Sequence, residues 1–148
     1  MAANPNYQPM FEGDSTPSLL VQLSNGTPGT LASPITMSTV NANDIQHINR
    51  ITVASSDSAP RTFTLVLTDG SLINVLGAVN IPLGSGTVAG TAAVDILASI
   101  TGPCMADAAG NKFIEIPKGW TLKGFASALT AATFMYVTVT GRTLGVAV

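Results

Sequence analysis

Apolar and polar side chains alternate along much of this chain, most cleanly at residues 61–68 (RTFTLVLT). Phe63, Leu65 and Leu67 fall on one side and Thr62, Thr64, Val66 and Thr68 on the other, which is the period of two of a half-buried strand. Asp69-Gly70 follows, and Ser71 to Leu76 resumes the apolar pattern. An Asp-Gly link between two such runs predicts a hairpin with a two-residue type I′ turn, because both central residues then need positive φ. Further short strands are predicted at 18–23, 35–40, 48–54 (Ile51 and Val53 on one face), 78–82, 113–116, 121–129 and 133–140. Turn-forming residues separate them: Asn25-Gly26, Pro28-Gly29, Pro34, Gly102-Pro103, Asp107 to Asn111 and Pro117-Lys118-Gly119. Residues 84–90 read as a flexible glycine-rich loop. Residues 91–100 fit two templates: Ala93, Ile96, Leu97 and Ile100 make a helical face, whereas Val94, Ile96, Ala98 and Ile100 make a strand face. A short helix is the preferred reading.

About eight short strands without strand–helix alternation predict an all-β fold. The expected architecture is a jelly-roll-like β-sandwich of antiparallel strands with one short helix. Three parts are expected: an extended N-terminal arm over 1–17, the β-sandwich domain over 18–143, and a C-terminal tail over 144–148. Pro5, Pro9, Gly13 and Pro17 break regular structure in the arm, while Tyr7, Met10 and Phe11 are apolar groups spaced along it. Such an arm either frays or is ordered by docking those three side chains on a neighbour. Leu144, Val146 and Val148 give the tail an apolar character, suited to packing on its own sandwich or on a neighbour.

Composition changes the picture in one respect. Charged residues make up 9% of the 148, and 30 residues are Ser or Thr, against roughly 25% charged in an ordinary soluble domain. A polar but neutral surface favours close subunit contact, because few ions must be stripped of water to form it. The net charge of -2 leaves no basic stripe, which argues against nucleic acid and against an anionic membrane as partners. No apolar run approaches the ~18 residues of a membrane span. The first fifteen residues are polar and contain two prolines, unlike a secretory signal, so folding in a reducing cytoplasm is expected.

Candidate chemistry is sparse. Cys104 is the single cysteine, which rules out an intrachain disulfide and a cysteine metal cage. His47 is the single histidine; Asp44 lies three residues before it, but no Gly-x-Ser-x-Gly elbow accompanies them, and a polar loop or interface role is the preferred reading. The acids are scattered, the Asp107 to Asn111 loop offers too few oxygens for calcium, and Gly84-x-Gly86 lacks the lysine of a phosphate loop. The expectation is a protein without catalytic residues, cofactor or metal.

From His47 to Thr143 the chain resembles the trimeric jelly-roll decoration (cement) proteins of tailed-bacteriophage capsids. Residues 47–53 (HINRITV) look like that family's opening core strand, and residues 61–67 with Asp69-Gly70 like its next strand and hairpin. Residues 114–126 (IEIPKGWTLKGFA) look like its proline–glycine–aromatic turn and following strand, through Ile116, Pro117, Gly119, Trp120, Thr121 and Leu122. Residues 136–141 (YVTVTG) look like its last strand. Residues 1–17 and the tail after Arg142 are outside the likeness. The resemblance implies a homotrimer on the outer surface of a virion capsid, made in the host cytoplasm. It would be bound to the major capsid protein where subunits meet, and it would hold the head against internal pressure. On that reading Tyr7, Met10, Phe11, Leu144, Val146 and Val148 are the candidate capsid or subunit contacts. Trp120 is either a further contact or a packing residue of its turn. Two rival functions remain open: a receptor- or glycan-binding module on a head or tail fibre, and an enzyme assembled around His47.

Overall fold

The computed structural model describes residues 10–39, 44–102 and 104–146. The elements are β1 (Met10–Ser24), β2 (Ile35–Thr39), β3 (Ile45–Ser55), β4 (Arg61–Thr68), β5 (Ile73–Ile81), β6 (Val94–Asp95), α1 (Ile96–Ser99), β7 (Met105–Ala106), β8 (Lys112–Ile116), β9 (Thr121–Ala126) and β10 (Phe134–Val146). One sheet has six strands in the order β1-β10-β3-β8-β7, with β6 also paired to β3; the other has four, in the order β2-β9-β4-β5. Every pairing is antiparallel. The fold is therefore an all-β, two-sheet sandwich with one short helix.

The apolar faces of the two sheets share one core. Leu23, Ile48, Ile51, Val53, Val137 and Val139 come from the larger sheet, and Met37, Phe63, Leu65 and Leu122 from the smaller. Ile96, Leu97 and Ile100, at α1 and its C-terminal cap, join the same cluster. Asp95 caps the helix by accepting from the Ala98 N–H. Buried polar groups are paired: the Ser38 hydroxyl donates to Gln46 Oε1, and among the described residues no buried side-chain polar atom lacks a partner.

Residues 10–17 correct the sequence expectation. Gly13 and Pro17 do not keep them out of regular structure; the segment is the first half of β1, paired to the chain's own C-terminal strand. The register slips between Glu12 and Ser15, around Gly13, and between Thr16 and Leu19, around Pro17. Such bulges, on a strand at the sheet edge, absorb residues that a central strand rejects. Likewise Leu144 to Val146 continue β10, paired to Met10–Glu12. Tyr7 and Val148 lie outside the described residues.

Three local expectations also change. First, β4 and β5 are joined by four residues, Thr68 facing Ile73. Gly70 has φ +96, while Asp69 accepts from the Ser71 and Leu72 N–H groups at 2.9 and 2.7 Å. This Asx arrangement replaces the type I′ turn. Second, residues 71–76 and 78–82 are not two strands: β5 runs through Gly77, and a register slip there keeps it on β4. Third, β4 is buried on both faces from Phe63 to Thr68. It is an interior strand, and its second face is flanked by Phe125, Lys123 and Thr121 of β9 and by Ala78, Val75 and Ile73 of β5. The loop at 84–90 is fastened down: Ser85 is fully buried, its carbonyl accepts from the Ser55 N–H at 2.7 Å, and the Thr87 hydroxyl donates to the Ser55 carbonyl at 2.7 Å.

Candidate functional site

His47 sits within β3, not in a loop, and faces Glu115 of β8 on one side and Arg142 of β10 on the other. Its ring meets that of Phe113 edge to face, with centroids 4.1 Å apart. The backbone is a strand from Ile45 onward, so Asp44 and His47, an odd number of residues apart, do not share a helical turn. Among the described residues, no group of three or more His, Cys, Asp or Glu is placed to hold a metal. The Cys104 thiol is half-buried; burial pushes its pKa up against the weaker opposing pull of Lys112, which makes it a poor nucleophile at neutral pH.

The densest polar cluster lies around Asp57 in the β3–β4 connection. Its carboxylate accepts from Arg61 Nε at 2.8 Å and Arg61 Nη2 at 3.3 Å. Thr130 adds its N–H at 2.9 Å and its hydroxyl at 2.8 Å, Thr133 its hydroxyl at 3.1 Å, and Ala59 its N–H at 3.0 Å. Burial alone would push this carboxyl upward, but the Arg61, Thr130 and Ala59 hydrogen bonds outweigh it and hold the group well below the usual carboxylate range. With both oxygens engaged, this is a clasp between the β3–β4 and β9–β10 connections and not a reagent.

The surface offers contact of a different kind. β5 is an edge strand of the four-stranded sheet, and Leu72, Ile73 and Val75 are 64, 44 and 47% exposed. Leu83 and Val88, in the loop that follows, are also exposed. No charged residue occurs from Ser71 to Val94. Edge strands are ordinarily blunted by lysine, proline or an inward charge; β5 carries none of these and has only its register slip.

Five of the sequence-based contact residues lie among the described residues. Met10, Phe11 and Val146 are backbone partners at one end of the β1–β10 ribbon, Met10 facing Val146, and Leu144 is half-buried beside Glu12. Trp120 is half-buried and packed on the core at the end of the Pro117–Trp120 turn. The structure thus brings Met10, Phe11, Leu144 and Val146 together on one paired ribbon. Sequence reading missed the β5 edge; its uncharged stretch was the available signal.

Comparison with protein-family models, with curated proteins and with solved structures finds no match.

Proposed function

We propose that this chain is a non-enzymatic structural subunit of a tailed-phage head: a jelly-roll decoration protein, acting as a homotrimer, that cements the outer surface of the capsid. The observation that carries this reading is the uncharged, apolar edge at β5 and the loop after it. Exposed apolar side chains on a sheet edge without charge mark an association site, and each large side chain fully buried there stabilises a complex by about 1.5–3 kcal/mol before ordering costs.

The strand order supports the jelly-roll part of the reading. Leaving aside the two-residue strands β6 and β7, eight strands remain. In chain order they lie first-eighth-third-sixth in one sheet and second-seventh-fourth-fifth in the other, the arrangement of two interlocked Greek keys. Pairing of β1 with β10 supports attachment through several contacts at once. Met10 and Val146 face each other at one end of the β1–β10 ribbon, so in a trimer three such ribbon ends would bind at the high effective concentration of a short tether.

Co-sedimentation with assembled heads tests the proposal. The wild-type chain is expected to bind them stoichiometrically and raise their melting temperature. The double variant Ile73→Lys, Val75→Lys, changed only at half-exposed positions, should fold normally and bind poorly. A chain lacking residues 1–9 keeps all the β1–β10 pairs and should fold but attach more weakly. A wild-type chain that neither sediments with heads nor shifts their melting would refute the proposal.

A further inference from the structure

We propose that the outer face of the six-stranded sheet carries a binding groove for an anionic saccharide, recognised by Asn49, Arg50 and Asn111. This goes beyond the capsid reading and does not depend on it.

The groove begins with a strand irregularity. In β3 the buried positions run Gln46, Ile48, then Ile51, Val53, Ser55, and the register to β10 slips so that Arg50 faces Thr140 while Ile48 faces Gly141. Asn49 is the extra residue of a bulge, and both it and Arg50 are exposed. Gly141 belongs to the same irregularity: a Cβ there would lie 2.8 Å from Ile48 Cδ1 and 3.0 Å from Ile48 Cα, so the two backbones approach too closely for a side chain. Bulges of this kind re-aim side chains.

The opposite edge of β3 is shared. β8 pairs with residues 46–48 and β6 with residues 52–53, which leaves a notch between them beside Asn49. Three adjoining hollows of about 360, 230 and 440 Å3 extend from this notch across the face, and Asn49 and Asn111 line all three. The far wall is the Asp107 to Asn111 turn. Asp107 Oδ1 accepts from the Ala109 and Asn111 N–H groups at 2.9 and 2.8 Å, and Oδ2 from Asn111 Nδ2 at 3.0 Å. Two backbone bonds close the same turn, so the wall is set before any ligand arrives.

The ligand class follows from the lining. Arg50, Lys112 and Arg142 line the hollows beside two carboxylates, Asp95 and Asp107, with Lys112 Nζ donating to the Ile100 carbonyl at 2.7 Å. Half of the six Lys and Arg residues of a chain with net charge -2 therefore gather here. Among the described residues, the side chains of Asn49 and Arg50 have no hydrogen-bond or ion-pair partner. A bare inorganic anion needs donors only and is repelled by the carboxylates. A sugar hydroxyl both donates and accepts, which matches a lining of amides and carboxylates, and an acidic group on the sugar meets Arg50. The Phe113 ring at one end offers an apolar surface to the C–H face of a sugar.

The test is titration of the full chain with an oligosaccharide of uronic or sialic acid, the matching neutral oligosaccharide, and sodium phosphate, read by calorimetry and by the side-chain amide resonances of Asn49 and Asn111. Saturable binding of the acidic oligomer is expected. Arg50→Ala and Asn49→Ala should each weaken it by about tenfold, the factor carried by one charge-assisted hydrogen bond, with thermal stability unchanged. Equal binding of phosphate, equal binding of the neutral oligomer, unaltered affinity in both variants, or no saturation by about 10 mM would each overturn the proposal.

Discussion

Replacing Asp57 with Ala is expected to destabilise the fold by about 3–5 kcal/mol, the range for breaking a buried ion pair by removing one partner. Asp57 is 1% exposed, and its removal takes away the acceptor of Arg61 Nε, of the Thr130 and Ala59 N–H groups and of the Thr130 hydroxyl. For a domain of 148 residues that loss corresponds to a fall of roughly 10 °C in melting temperature. Asp57→Asn should also be costly, since its amide would present a donor where the carboxylate only accepts. The pH dependence has a definite sign. The folded pKa lies below the unfolded value of about 3.9, so the native state favours the ionised form. That contribution is complete above the unfolded value and is lost as pH falls toward the folded one. Urea unfolding of the wild type should therefore weaken steeply from about pH 4 downward, and the Asp57→Asn variant should show a shallower slope there. Equal stability of wild type and Asp57→Ala at pH 7 would show that the clasp contributes nothing.

The second large effect is expected at Phe63 and its partner glycine. Phe63 is fully buried at the centre of the core, and Phe63→Ala should cost about 3–5 kcal/mol through lost transfer energy and the cavity left behind. Its ring lies against Gly124 in the neighbouring strand: a Cβ at 124 would sit 2.7 Å from Phe63 Cζ and 3.1 Å from the Thr64 carbonyl oxygen. Gly124→Ala should therefore destabilise by overpacking, by about 1–3 kcal/mol. The two substitutions should be strongly coupled. In a Phe63→Leu background the shorter side chain makes room, and Gly124→Ala should cost less there than in the wild type. Chemical denaturation of the four proteins of the cycle measures this coupling; additive losses would mean the ring and the glycine do not share the space.

Elements with strong alternation were legible before the structure. Residues 61–68 were bounded correctly as β4, and 35–40, 113–116 and 133–140 lie close to β2, β8 and the first half of β10. The short helix after Asp95 was also legible, though only four residues of the ambiguous stretch form it. The failures share a cause. Gly13 and Pro17 look like breakers when each residue is judged by its own backbone preference, yet a bulged edge strand accommodates both. Asp69-Gly70 looks like a complete turn, yet the Asp69 carboxylate drew two further residues into it.

Nothing local marks Asp57 as the centre of a network, because Thr130 and Thr133 lie more than seventy residues away. The groove is equally non-local: Asn49 and Asn111 become neighbours only because β8 and β6 divide one edge of β3 between them. What the amino-acid order settled by itself was the β class, the scarcity of charge and the faces that enter the core, since these depend on period-two patterning and composition. Strand order, the burial of the second face of β4, the exposed β5 edge and the pairing of β1 with β10 were decided by tertiary structure. They depend on which strands lie side by side, and antiparallel pairing joins residues that alternation along the chain cannot connect.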